Sequence, residues 1–202
     1  MKKERVETFS DAMFAIIMTV MVLELHAPQK DTWGSLAAVG PVFVSYVLSF
    51  TYVGIYWVNH HHMLQAVRSV SGGVLWGNVH LLFWLSLLPF TTEWIGQTRF
   101  TRVPMVLYGI NLVACSVAYT LLQMRLVLLH GKESPFAVAL GKNGNDMKGK
   151  LSLALDIIGI CLAWFVAPIL GLAIFIFVAL MWLVPDPRMA AVVAAAHEAR
   201  DD

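Results

Sequence analysis

Charge is what this sequence has least of. Only 13% of its 202 residues are Asp, Glu, Lys or Arg, about half the ~25% usual in soluble domains. With 58% hydrophobic residues and a mean hydropathy of +0.70, a soluble globular domain is excluded, because a chain of this size cannot hide that much apolar surface. The net charge of +1 says nothing about a partner, but the sequence lacks the basic stripe that nucleic acid needs, so no nucleic-acid partner is expected. Cysteine is confined to Cys115 and Cys161. Both stand in apolar runs, where a thiol is a packing residue, so the redox compartment stays open. No Walker A motif, Gly-x-Ser-x-Gly or His-Glu-x-x-His occurs, which removes support for ATP-driven transport and intramembrane hydrolysis. The chain is therefore not expected to be an enzyme or to hold a cofactor. A Thr-Val-Gly-Tyr-Gly loop is missing, excluding a filter built of backbone carbonyl rings, and the every-third Arg pattern of a voltage sensor is missing too. No cleavable signal peptide is expected: the first apolar run is too long, and no small-x-small site precedes Asp31.

What is present is a series of six apolar runs. They predict an all-α membrane protein with helices over about 6–26, 36–58, 74–95, 103–124, 151–167 and 169–184. Residues 1–187 form one membrane domain, and 188–202 form a tail. Pro41 falls near the start of the second helix, where it is tolerated, and Pro89 should kink the third. Six crossings put both termini on one side. Eleven of the fourteen Lys and Arg fall on that side, and only Lys30, Arg99 and Arg102 on the other. The positive-inside rule thus predicts a multi-pass protein of the cell membrane with both termini cytoplasmic. No internal repeat is evident, so a pore would need several subunits around an axis.

The stretch Arg5 to His26 organises the rest. From Ala12 to Leu23 it carries no charge. At 100° per residue Thr19, Val20 and Leu23 lie within ~60° of Ile16, while Asp11 points the opposite way. Periodicity alone leaves open whether that stripe is ordinary packing surface or faces a partner across an axis. Arg5, Ser10 and Asp11 share one helix end. They are either a solvated, self-capping N-terminus or a hydrogen-bonded cluster that docks the helix, with Arg5 pairing a carboxylate.

Arg5-x-x-x-Phe9-Ser10-Asp11, followed by a small residue and an Ile/Met/Thr/Val/Leu run to Leu23-Glu24-Leu25, resembles the signature of the TMEM175 family of potassium channels. The likeness is strongest over residues 5–25. It implies a homotetramer in the lipid bilayer, with six helices per subunit around a central pore lined by the first helix. It implies further that the apolar constriction falls on Ile16, with Val20 and Leu23 as the next layers and Thr19 as the polar pore-lining residue. K+ would be the permeant ion, with weaker Na+ and a proton leak through the same path.

Partners for the Arg5, Phe9, Ser10 and Asp11 cluster should lie at the same depth: Trp57, Asn59, His60 and His61 at the end of the second helix, Asn78 and His80 at the same end of the third. His80 or His60 is expected to contact Ser10 or Asp11. Asp156 is the other intramembrane acid, a functional candidate or a partner of Arg125 or Lys150. His60-His61-His62 point in three directions on a helix, so no metal site is expected. Their protonation would make gating pH-sensitive. Two rivals remain at this stage. One is a proton-coupled secondary transporter using Asp11, His60, His80 and Asp156 as a relay. The other is a non-conducting membrane assembly protein whose stripe is only an interface.

Overall fold

The computed structural model describes residues 3–140 and 146–183. Among these, all regular structure is helical: α1 Lys3–Leu23, α2 Trp33–Ala38, α3 Gly40–Gln65, α4 Gly72–Ser86, α5 Leu88–Gln97, α6 Arg102–His130, α7 Pro135–Leu140, α8 Met147–Phe165 and α9 Pro168–Leu183. Four stretches are long and apolar enough to cross a membrane: α1, α3, α4 with α5, and α6. Of the remaining long helices, α8 has 19 residues but carries Lys148, Lys150 and Asp156, and α9 has 16. At 1.5 Å per residue they reach about 28 and 24 Å. The tail expected over 188–202 lies outside the described residues.

Several boundaries differ from the sequence expectation, each for a local reason. The second helix begins at Gly40, not near residue 36. Thr32 caps the separate turn of α2, and Pro41 then sits in the first turn of α3, where its missing N–H is not needed. That helix also runs on to Gln65, straight through the His run. The third run is two helices broken at Leu87, because Pro89 occupies the first turn of α5 and cannot donate to a continuous ladder. The fourth helix continues to His130 and stops where Gly131 takes φ 88, a left-handed conformation open to Gly. The loop that follows contains α7.

The longest helix, α6, is the hub. It packs against α4, α5, α8 and α9, whereas α1 packs against α3, α4 and α5. Inside a bilayer, helices gain little from leaving lipid, so close backbone approach and hydrogen bonds decide how they associate. The α8–α9 hairpin shows the first: a Cβ on Gly171 would lie 2.7 Å from Ala163 Cβ and 2.8 Å from the Gly159 carbonyl oxygen. Between α3 and α5 the same holds at Gly96, whose Cβ would fall 2.5 Å from Ser45 Oγ. Buried hydroxyls supply the second. Thr92 donates to Ser49 Oγ at 2.7 Å, Ser49 pairs with the Tyr108 hydroxyl at 3.0 Å, and Tyr52 donates to the Phe175 carbonyl at 2.7 Å.

Candidate ion pathway and the cluster that holds it

The two faces of α1 differ sharply. Val6, Ser10, Phe14, Ile17 and Met21, spaced three and four apart, are buried against the bundle. The opposite face is left uncovered: Ile16 is 55% exposed, Leu23 is 70%, and Phe9, Thr19 and Val20 are exposed with them. Arg5 lies on the same line, because eleven residues bring a helix round to within ~20°. Thr19 donates its hydroxyl proton to the Ala15 carbonyl at 2.8 Å. Its oxygen is exposed and keeps its lone pairs free to accept.

A hydrogen-bonded chain fixes the buried face. Asn78 of α4 donates through Nδ2 to Ser10 Oγ at 2.9 Å, and its Oδ1 meets His60 Nε2 of α3 at 2.7 Å. An amide oxygen can only accept, so His60 carries the proton on Nε2 in this arrangement. The Phe14 ring lies 5.6 Å from the His60 ring. One step round the helix, Asp11 Oδ1 accepts from Trp57 Nε1 at 2.9 Å, and the indole stacks on His61. A further tie, not foreseen from the sequence, is Lys3. Its ammonium is buried, donates to the carbonyls of Leu64 at 3.0 Å and Val67 at 3.3 Å, and stands 3.4 Å from Glu7. Leu64 is in the last turn of α3, where its carbonyl also takes the Val67 N–H at 3.3 Å, and Val67 lies two residues past the helix end, so Lys3 acts as a cationic cap supplied by another helix.

Not every expected partner joins this chain. Arg5 makes no ion pair with Asp11 among the described residues; six positions at 100° put the two on different faces. His80 does not meet Ser10 or Asp11. It is exposed, and its Nε2 accepts from Trp84 Nε1 at 3.0 Å, because two positions from Asn78 is a turn of 200° on α4. Asn59 donates instead to the Ile55 carbonyl of its own helix. Asp156 is buried, with α8 packed on α6 and α9 rather than on α1. Beside the cluster runs a groove of about 820 Å³ lined by Asp11, Ala15, Met18, Trp57 and His62 on one side and Trp182 on another.

Residues 5–89 match the family described as endosomal/lysosomal potassium channel TMEM175. The chain is 44% identical over 189 residues to a potassium channel of Chryseobacterium sp. (strain P1-3), covering 94% of this chain and 96% of that one. It is 29% identical over 151 residues to the human endosomal/lysosomal proton channel TMEM175, covering 66% of this chain and 30% of that longer one. In fold it is similar to the crystal structure of a lysosomal potassium-selective channel TMEM175 homolog from Chamaesiphon minutus. The TM-score is 0.79 at 22% identity, over 91% of this chain and 97% of that one. The family is one of ion channels, not of enzymes, and its apolar spans make this a membrane protein. With a relative this similar along nearly its whole length, the chain belongs to the TMEM175 family.

Proposed function

We propose that this chain is one subunit of a potassium-permeable cation channel of the cell membrane, with both termini cytoplasmic and four copies around a central axis. Each copy contributes six crossings: α1, α3, α4 with α5, α6, α8 and α9. The observation that carries the proposal is the two-faced α1. One side is tied to the bundle by Lys3, Ser10, Asp11 and Phe14, and the other leaves Ile16, Thr19, Val20 and Leu23 uncovered. Four such faces around an axis give an apolar ring at Ile16, with further apolar layers at Val20 and Leu23. A narrow apolar ring closes a pore by dewetting, and a wider one admits a hydrated cation. Thr19 adds a ring of outward oxygens between the layers. The potassium-channel names of the bacterial relatives favour K+, and the proton-channel names of the animal ones extend the permeant species to H+.

The proposal is tested by potassium flux into proteoliposomes from a side-chain series at Ile16. Ala should raise flux over wild type, and Phe should suppress it. A series with no size dependence, but with flux abolished by Asp11→Asn or His60→Gln, would favour a relay transporter. The mass of the detergent-solubilised protein tests the subunit number.

A further inference from the structure

Asp156 takes no part in the α1 stripe or in the cluster behind it, yet it is only 3% exposed, and its Oδ1 has no hydrogen-bond partner. It is set in the wall between α3, α6, α8 and α9, beside a cavity of about 40 Å³. Ile55, Leu112 and Val178 line that space and offer a carboxylate nothing. The titratable groups that face Asp156 are Tyr52 and Tyr56 of α3, Tyr108, Cys115 and Tyr119 of α6, and Asp146 just before α8. None of them can bear a positive charge, and α9 brings no titratable group at all. Lys148, in the first turn of α8, sits over the Trp182 ring at 4.6 Å. Among the described residues no Lys, Arg or His forms an ion pair with Asp156.

An ionised carboxylate with neither a cation nor bulk water beside it is strongly disfavoured. Burial favours the neutral form of such a group, and a bound proton removes the charge without any other partner. We infer that Asp156 is a proton-binding site, filled in the folded bundle, and that losing the proton loosens the hold of α8 on α6 and α9. A polar track leads to it. Gly149, Ser152 and Asp156, three and four residues apart, follow one face of α8 along the cavity, and Asp146 stands where that face begins. Asn59, Ser116 and Tyr119 add amide and hydroxyl groups to the same lining. At ~10–15 Å³ each, about three waters fit, enough to pass a proton between Asp156 and the end of α8. Once the carboxyl ionises, more water must enter to solvate it, and the wall it would enter is tight. Ser152 Oγ accepts from Trp182 Nε1 at 2.6 Å. At Gly159, three residues beyond Asp156, a Cβ would fall 2.8 Å from the Phe175 ring. Solvating the charge therefore works against the α8–α9 packing.

The test uses the purified full chain in detergent, unfolded by heat at one ionic strength from pH 5 to pH 8. Below about pH 4 the folded and unfolded chains both hold this proton. Above that the folded chain binds one more than the unfolded chain, so stability falls as pH rises, until the folded carboxyl itself ionises. Between pH 5 and pH 7 the wild-type unfolding constant should rise at least about tenfold more than that of Asp156→Asn, which is neutral throughout. Asp156→Leu is a second neutral variant, to be used if the amide folds poorly. Wild type alone gives another reading: in infrared spectra at pH 7, where exposed carboxyls are ionised, the C=O stretch of a protonated carboxylic acid should persist. The same pH dependence in wild type and in the neutral variants would overturn the inference. So would a wild type without that stretch. Both readouts stand apart from whether the protein conducts.

Discussion

Asn78 donates to the Ser10 hydroxyl across 2.9 Å, and both side chains are buried. The bond joins α1 to α4, and through His60 to α3. Hydrogen bonds between membrane helices are worth ~0.6 kcal/mol on average and up to ~1.7 kcal/mol. A double-mutant cycle of Ser10→Ala and Asn78→Leu should therefore return a coupling of that order, read by thermal unfolding. A cycle of Ser10→Ala with His80→Ala should return none, since His80 is on the outer side of α4.

Lys3 should matter more than its place in a basic leader suggests. Lys3→Met removes the donor to the carbonyls of Leu64 in the last turn of α3 and Val67 just beyond it, and leaves Glu7 without its cation, a loss of ~1–2 kcal/mol. Lys3→Arg should recover part of it. Arg5→Ala, two residues on, should leave stability unchanged, because Arg5 is exposed on the other face. Unfolding midpoints of the three variants check this.

The Asp11–Trp57 pair predicts a rescue. Trp57→Phe keeps an aromatic ring but deletes the indole N–H, and hydrogen bonds to charged groups contribute ~1.5–3 kcal/mol. Adding Asp11→Asn should cost less in the Trp57→Phe background than in wild type, because a neutral amide needs that donor less. Flux and unfolding measured on all four proteins should move together if the pair sets the position of α1.

Gly171→Val should give a poorly folded protein. Its side chain would enter the space of Ala163 Cβ and the Gly159 carbonyl, and a backbone atom cannot give way as a side chain does. The expected result is loss of the monodisperse peak on size exclusion. Gly34→Ala, with no atom within 4 Å of the added carbon, should elute as wild type.

The alignment of Ile16, Thr19, Val20 and Leu23, with Asp11 turned away, is legible in the sequence from helical periodicity, but in a charge-free run periodicity does not say which face is covered; the resemblance to the family singles out this one. The partners are only half legible. Depth in the membrane narrows candidates to helix ends, among them Trp57, His60 and Asn78, which the structure joins by hydrogen bonds to Asp11, to Asn78 and to Ser10 respectively. Depth does not give rotation, so it sets His80 beside Asn78 although 200° of helix separates them. The same arithmetic, applied to Arg5 and Asp11, argues against that pairing. Lys3 gives no signal, because a cation that caps another helix's carbonyls looks like any basic leader until the helices are docked. The break at Leu87 is legible in Pro89. The extension of α3 through three His is not, since only the bond from His60 to Asn78 makes that polar end welcome inside the bundle.

The most direct measurement is potassium flux through Ile16→Asn compared with Ile17→Asn in proteoliposomes. The two positions are neighbours in sequence but 100° apart, one on the uncovered face and one buried against the bundle. A polar ring at 16 stays wet, and lowering the barrier by ~1.4 kcal/mol raises flux about tenfold. The account predicts that rise, with weaker discrimination against Na+, for Ile16→Asn only, while Ile17→Asn loses stability without a gain in flux. Unchanged flux in a folded Ile16→Asn protein that conducts as wild type would contradict it, and would place the path away from α1.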